Sequence, residues 1–226
     1  MIYNSIVKGR FISRPNRFIA YAEIDGKEEI CHVKNTGRCR ELLIPEADII
    51  LEISDNPNRK TKFDLISVYK NGRLINIDSQ APNKIAAELL PKLFPDYIIK
   101  PEQKYKNSRF DFYLESANKR AFAEVKGVTL ENENIVMFPD APTERGVKHI
   151  NELIQAAENG FDAYILFIIQ MNQVKYLIPN YTHREFGEAL HLAKQKGVKI
   201  LAYDCIVKEN EITAHAPIKV FTENMI

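Results

Sequence analysis

The sequence predicts an α+β protein of two domains, a small β-barrel over residues 1–80 followed by an α/β domain with a mixed sheet over residues 81–226. Three observations carry this. The first eighty residues fall into short strand-like runs separated by turn residues, with no amphipathic helix between them. After Ser79-Gln80-Ala81-Pro82 the apolar residues Ile85, Leu89 and Leu93 recur at helical spacing. From there helix, β-hairpin, helix and strand follow one another, the order of a mixed sheet covered by helices.

Taken in chain order, strands are expected over residues 19–24 and 29–33 across the Asp25-Gly26 turn, and over 49–53. A second hairpin joins residues 63–69 and 73–77 through Asn71-Gly72, a dipeptide suited to the left-handed backbone of a tight turn. About five strands in eighty residues suit an OB-like barrel, a count that other small barrels share. Pro82 suits the opening turn of the first helix. Strands follow around Gln103-Lys104-Tyr105, at 109–114 and at 121–128. A helix over 143–159 presents Val147, Ile150, Ile154 and Ala157 on one face, with Thr143 as its cap and Asn159-Gly160 as its stop. Residues 163–169 are apolar throughout and read as a central strand, followed by a helix over 184–196 and a strand over 198–207.

Composition narrows the function. In 226 residues 45% are apolar and 27% charged, which fits a folded chain; 31 Lys and Arg face 30 Asp and Glu, so any nucleic-acid surface must be a local patch. Lys8 and Arg10 interrupt the run that a signal peptide would need, and no stretch reaches the roughly 18 apolar residues of a membrane span. Cys31, Cys39 and Cys205 are odd in number and form no zinc cassette; Cys31, His32 and Cys39 lack a fourth ligand. A reducing cytoplasm is the expected location, with no membrane partner.

The chemistry concentrates in Ser108-Arg109-Phe110-Asp111-Phe112-Tyr113-Leu114 and Phe122-Ala123-Glu124-Val125-Lys126-Gly127-Val128. On a strand, Glu124 and Lys126 lie two apart and share a face. If the two strands pair, Asp111 lies beside Glu124, and two carboxylates with an ammonium alongside suit one hard cation, Mg²⁺ or Mn²⁺. Phosphodiester hydrolysis uses these groups: carboxylates hold the metal, the metal polarises phosphate and water, and a lysine orients the nucleophile or stabilises developing charge. Asp, then Glu-x-Lys 13 residues on, resembles the PD-(D/E)xK nuclease superfamily, with Phe110 where the eponymous proline stands. The resemblance implies a restriction-endonuclease-like second domain with Asp111, Glu124 and Lys126 catalytic. It also implies a further metal-binding acid from the preceding region, for which Glu88 and Glu102 compete.

Longer blocks resemble the sugar fermentation stimulation protein A family. They are Ser108 to Phe112, Glu124 to Leu130 and Phe138-Pro139-Asp140-Ala141-Pro142-Thr143-Glu144-Arg145-Gly146-Val147-Lys148-His149-Ile150, with Arg17-Phe18, His32-Val33-Lys34-Asn35-Thr36-Gly37 and Asn58-Arg59-Lys60 upstream. The resemblance implies a DNA-binding protein with an OB-like first domain and a nuclease-like second one. Three positions depart from the pattern: Lys34 replaces a proline, Pro142 an aliphatic residue, and Val147 a glutamine, which leaves Arg145, Lys148 and His149 to face a phosphate. Arg145 and Lys148 open the second helix, where free N–H groups favour anions. His149 reads as a general acid for the leaving oxygen or as a packed helix residue. In the barrel, Arg10, Arg14, Arg17, Arg38, Arg40, Arg59, Lys60 and Lys62 interleave with Phe11, Phe18 and Phe63, a pattern that suits a nucleic-acid groove. For each phenylalanine alone, the core is the expected place. The expected function is a DNA-binding, divalent-metal-dependent nuclease. Its rivals are a non-enzymatic DNA-binding regulator of sugar (maltose) metabolism on a nuclease-like fold, and an RNA-directed enzyme.

Overall fold

A computed structural model describes residues 1–35, 37–106 and 108–223. The first domain comprises β1 (Ile6–Ser13), β2 (Ile19–Ile24), β3 (Lys27–Val33), β4 (Asp48–Ile53), β5 (Phe63–Lys70) and β6 (Arg73–Asn76). They hydrogen-bond in the order β3-β2-β1-β4-β5-β6, and a parallel pairing of β3 with β5, Cys31 opposite Phe63 through Val33 opposite Leu65, closes the first five into a barrel. This is an OB domain. Phe11, Ala20, Ala22, Cys31, Val33, Ile49, Leu51, Leu65 and Val68 fill it.

Strand β1 is absent from the sequence expectation, which begins the barrel at residue 19. Gly9 and the charged Lys8 and Arg10 break its apolar alternation. The glycine is needed because a Cβ there would stand 2.9 Å from the carbonyl oxygen of Glu23 and 3.0 Å from Leu51 Cδ1. Flanked on both sides by β2 and β4, β1 belongs to the barrel through its register rather than its composition.

The second domain comprises α1 (Ala81–Leu93), β7 (Ile98–Tyr105), β8 (Ser108–Glu115), β9 (Arg120–Val128), β10 (Leu130–Asn132), β11 (Ile135–Phe138), α2 (Glu144–Glu158), β12 (Asp162–Ile169), β13 (Tyr176–Pro179), α3 (Arg184–Gln195), β14 (Lys199–Lys208) and β15 (Glu211–Pro217). Six strands form a mixed sheet in the order β15-β14-β12-β9-β8-β7, with β9, β12 and β14 parallel at its centre. Ala123 and Val125 of β9 pack with Ile85, Ala86 and Leu89 of α1 on one face, while Phe122 packs with Ile150, Leu153 and Phe186 of α2 and α3 on the other. Glu124 and Lys126 therefore face α2.

Two features lie outside the sequence expectation. The three-stranded sheet β10-β11-β13 is made of strands of three or four residues, too short for periodicity to show. Strand β15 is a half-exposed edge defined by its pairing to β14. No helix among the described residues is long and apolar enough to cross a membrane.

Candidate active site and nucleic-acid cleft

Strands β8 and β9 pair antiparallel from Glu115 opposite Arg120 to Phe112 opposite Ala123. One more step would place Asp111 opposite Glu124, but the ladder stops there. The Asp111 carboxylate takes the place of a backbone acceptor: its Oδ2 accepts the Val125 N–H at 2.8 Å, and its Oδ1 accepts Asn83 Nδ2 at 2.9 Å. A side chain thus satisfies the backbone donor freed where the strands part.

Glu124 is 3% exposed. Its Oε1 accepts Lys126 Nζ at 2.7 Å and is also bonded by Nδ1 of the buried His149 from α2. Its Oε2 is buried and bonds to nothing among the described residues. Burial opposes the Glu124 charge, but the His149 and Lys126 donors outweigh it and hold the carboxyl below its usual range. For Asp111 burial comes first and the Glu124 charge adds to it, so its carboxyl is pushed up despite the Val125 and Asn83 donors. The two acids sit in one electrostatic unit with opposite displacements.

Helix α2 begins at Thr143, whose Oγ1 accepts the Gly146 N–H at 3.0 Å. At Gly146 a Cβ would stand 2.7 Å from Thr143 Cγ2 and 3.3 Å from Phe186 Cε2, so the residue lets α2 close onto α3. That seating brings His149 down onto Glu124. Arg145 is exposed, and its Nε lies 3.5 Å from His149 Nε2. Lys148 is exposed, its Nζ 3.9 Å from Glu152 Oε1.

The other expected site residues go elsewhere. Glu88 receives the N-terminal amine of Met1 at 3.0 Å, and Glu102 receives Arg109 at 3.1 Å. Neither joins Asp111 and Glu124, and no group of three or more His, Cys, Asp or Glu among the described residues can hold a metal ion. Arg14 donates to four backbone carbonyls, those of Arg17, Asn35, Gly37 and Arg38, at 2.6–2.9 Å, and so clamps a loop instead of facing solvent. Arg59 grips the buried Asp64 with both terminal nitrogens. These guanidiniums hold the barrel together.

A cleft of about 960 Å³ lies between the domains, lined on the barrel side by Arg17, Arg38, Arg40 and Leu43 and on the other by Asp140, Ala141, Pro142 and Thr143. Arg17, Arg38 and Arg40 are exposed and make no ion pair or side-chain hydrogen bond among the described residues. Lys60 is also exposed. Phe11 and Phe63 are core residues, but Phe18, next to Arg17, is 56% exposed. Thr143 lines the cleft and His149 touches Glu124, so about 9 Å of helix separates the cleft from the carboxylates. Asn83 and the role of His149 were beyond sequence reasoning, because each is defined by a partner more than 20 residues away. The cysteines are buried, their thiols pushed up to about 12, chiefly by burial.

The fold and the site define a two-domain protein in which an OB barrel adjoins a mixed-sheet domain carrying paired carboxylates and a lysine where two strands part. The sequence matches the Sugar fermentation stimulation protein RE domain over residues 80–211 and the SfsA N-terminal OB domain over residues 12–77. It is 61% identical to a sugar fermentation stimulation protein homolog of Clostridium beijerinckii over 94% of this chain and 96% of that one. A homolog from Desulfitobacterium hafniense strain Y51 is 59% identical over 95% of both chains. Among solved structures, Pyrococcus furiosus SfsA in complex with Ca²⁺ matches with a TM-score of 0.87 and 30% identity, covering 98% of each chain. The chain belongs to the sugar fermentation stimulation protein family.

Proposed function

We propose that the protein binds nucleic acid, DNA foremost, in the cleft between its domains and hydrolyses phosphodiester bonds with a divalent cation held by Asp111 and Glu124. The observation that carries this reading is Glu124 Oε2. A buried ionised oxygen without a donor is expensive, on the order of 1–3 kcal/mol or more, and a fold keeps one where a ligand completes it. Two carboxylates suit Mg²⁺ or Mn²⁺, which fill their remaining positions with water and phosphate oxygens. The solved Pyrococcus furiosus relative is a complex with Ca²⁺, another hard cation that takes oxygen ligands. When bound, the cation supplies Lewis acidity and a water of lowered pKa.

The chain's own residues do the rest. Lys126, on the face it shares with Glu124, offers an ammonium to the attacking water or to the charge that grows on phosphorus oxygens. Arg145 and Lys148 present cations on the first turns of α2, where N–H groups also favour phosphate. Arg17, Arg38 and Arg40 neutralise the backbone of the bound strand, and Phe18 offers a face for an unpaired base.

The test is purified protein with Mg²⁺ or Mn²⁺ against duplex, single-stranded, flapped and branched DNA and RNA. Cleavage of at least one substrate is expected, with Glu124→Gln and Lys126→Ala about a hundredfold slower or worse and binding retained. Absence of cleavage by the wild type across that panel with either metal overturns the enzymatic reading and leaves a DNA-binding regulator.

A further inference from the structure

Glu124 Oε1 has two donors, and they differ in kind. Lys126 reaches it with a flexible four-carbon stem from the same strand, two residues away. His149 reaches it with a rigid ring from α2, itself 7% exposed and fixed by the Thr143 cap and the close approach at Gly146. Arg145 Nε beside His149 Nε2 fits the tautomer in which Nδ1 carries the proton and donates to the carboxylate. Lys126 cannot serve a phosphate while it also serves as the sole anchor of Glu124.

We infer that His149 is a positioning residue for the cation site: it anchors Glu124 Oε1, aims Oε2 at the cation, and so releases Lys126 for the substrate. This rests on the metal-dependent reading of the site and adds a residue and a division of labour to it. Partners that orient a metal-bound carboxylate typically change metal affinity 10–100-fold when removed. The asparagine amide nitrogen can occupy nearly the same place as histidine Nδ1, so His149→Asn keeps the donor, whereas His149→Phe keeps the bulk and loses it.

The experiment is Mn²⁺ binding by calorimetry and by electron paramagnetic resonance on the full chain, with thermal melts alongside. His149→Phe should bind Mn²⁺ about 10–100-fold more weakly, His149→Asn within about threefold of wild type, and Lys126→Ala no more weakly than wild type. Wild-type affinity in His149→Phe, or equal losses in the Phe and Asn variants with native melts, overturns the inference while the metal site stands. If the Phe variant does not fold, a folded Asn variant that has lost Mn²⁺ affinity overturns it equally, and one that keeps it supports it. A wild type that binds no Mn²⁺ removes the metal reading itself, and this inference with it.

Discussion

Asp111 and Glu124 show how two carboxylates in one place acquire different characters. Glu124 has two donors on one oxygen and stays ionised against burial, whereas Asp111 lies in the field of Glu124 and resists ionisation. A carboxyl whose folded pKa is raised weakens the fold above that pKa, because the unfolded chain ionises more readily. At neutral pH Asp111 therefore lowers stability, and this loss is relieved as pH falls through its raised pKa. Asp111→Asn removes the charge with the same shape, and the Asn83 amide can turn its oxygen towards the new N–H₂. Without metal the variant should melt at or above the wild-type temperature, by about 0.5–2 kcal/mol in stability. Mn²⁺ should raise the melting temperature of the wild type and leave the variant nearly unmoved. A destabilised variant combined with no metal-induced shift in the wild type sinks the pairing.

At the scale of elements, the site depends on how β8, β9 and α2 meet. The parting of β8 from β9 beyond Phe112 and Ala123 makes room for ligands between two strands that would otherwise be filled by a ladder. Helix α2 then supplies His149 from one side and the cleft wall from the other. Its Thr143 cap satisfies a free N–H in the first turn, and Thr143→Ala should cost about 1 kcal/mol, read by chemical denaturation. The same change should weaken Mn²⁺ binding more than an alanine at the exposed Glu158 near the far end of α2. Equal effects at the two ends would separate the cap from the site. The helix and both strands were legible in the sequence: Ile150 and Ile154 mark the buried face of α2, and Asp111 and Glu124 stand out as acids among apolar neighbours. The parting of the strands was not, since it depends on one side chain displacing one backbone bond.

Over the whole molecule, two charge systems have different tasks. One is the buried cluster around Asp64, which receives Arg59, Lys34 at 3.1 Å and His32 at 3.1 Å, while Lys34 also bonds Glu52 at 3.1 Å. Burial opposes the Asp64 charge, but Arg59 and Lys34 overcome it and bring its pKa to about 2. Its contribution is present above the ordinary aspartate range near pH 4 and is lost as pH falls through about 2. Asp64→Asn should destabilise the neutral protein by on the order of 3 kcal/mol and flatten the loss of stability between pH 4 and pH 2, followed by circular dichroism across an acid titration. A variant with an unchanged acid limb would show that Asp64 is not the titrating group. The other system is the set of exposed arginines at the interdomain cleft. Replacing Arg38 and Arg40 together with alanine should weaken binding to all sequences alike and reduce the magnitude of the salt slope by about two, because two phosphate contacts disappear. Melting should barely change, in contrast to Arg59→Ala, which strands Asp64.

The sequence by itself determined the two-part architecture, most strands and all three helices, and the acid, acid and lysine on β8 and β9, because periodicity and spacing are local properties written in consecutive residues. It could not tell a clamp from a ligand. Arg14 and Arg17 are alike as residues three apart in one loop, yet Arg14 folds back on four carbonyls and Arg17 faces the cleft. Glu88 and Glu124 are both strand- or helix-borne glutamates, yet one meets the chain's first residue and the other a buried histidine. The tertiary structure decided these cases, since a charge acquires its role from partners that lie from three to 87 residues away along the chain and a few ångströms away in space.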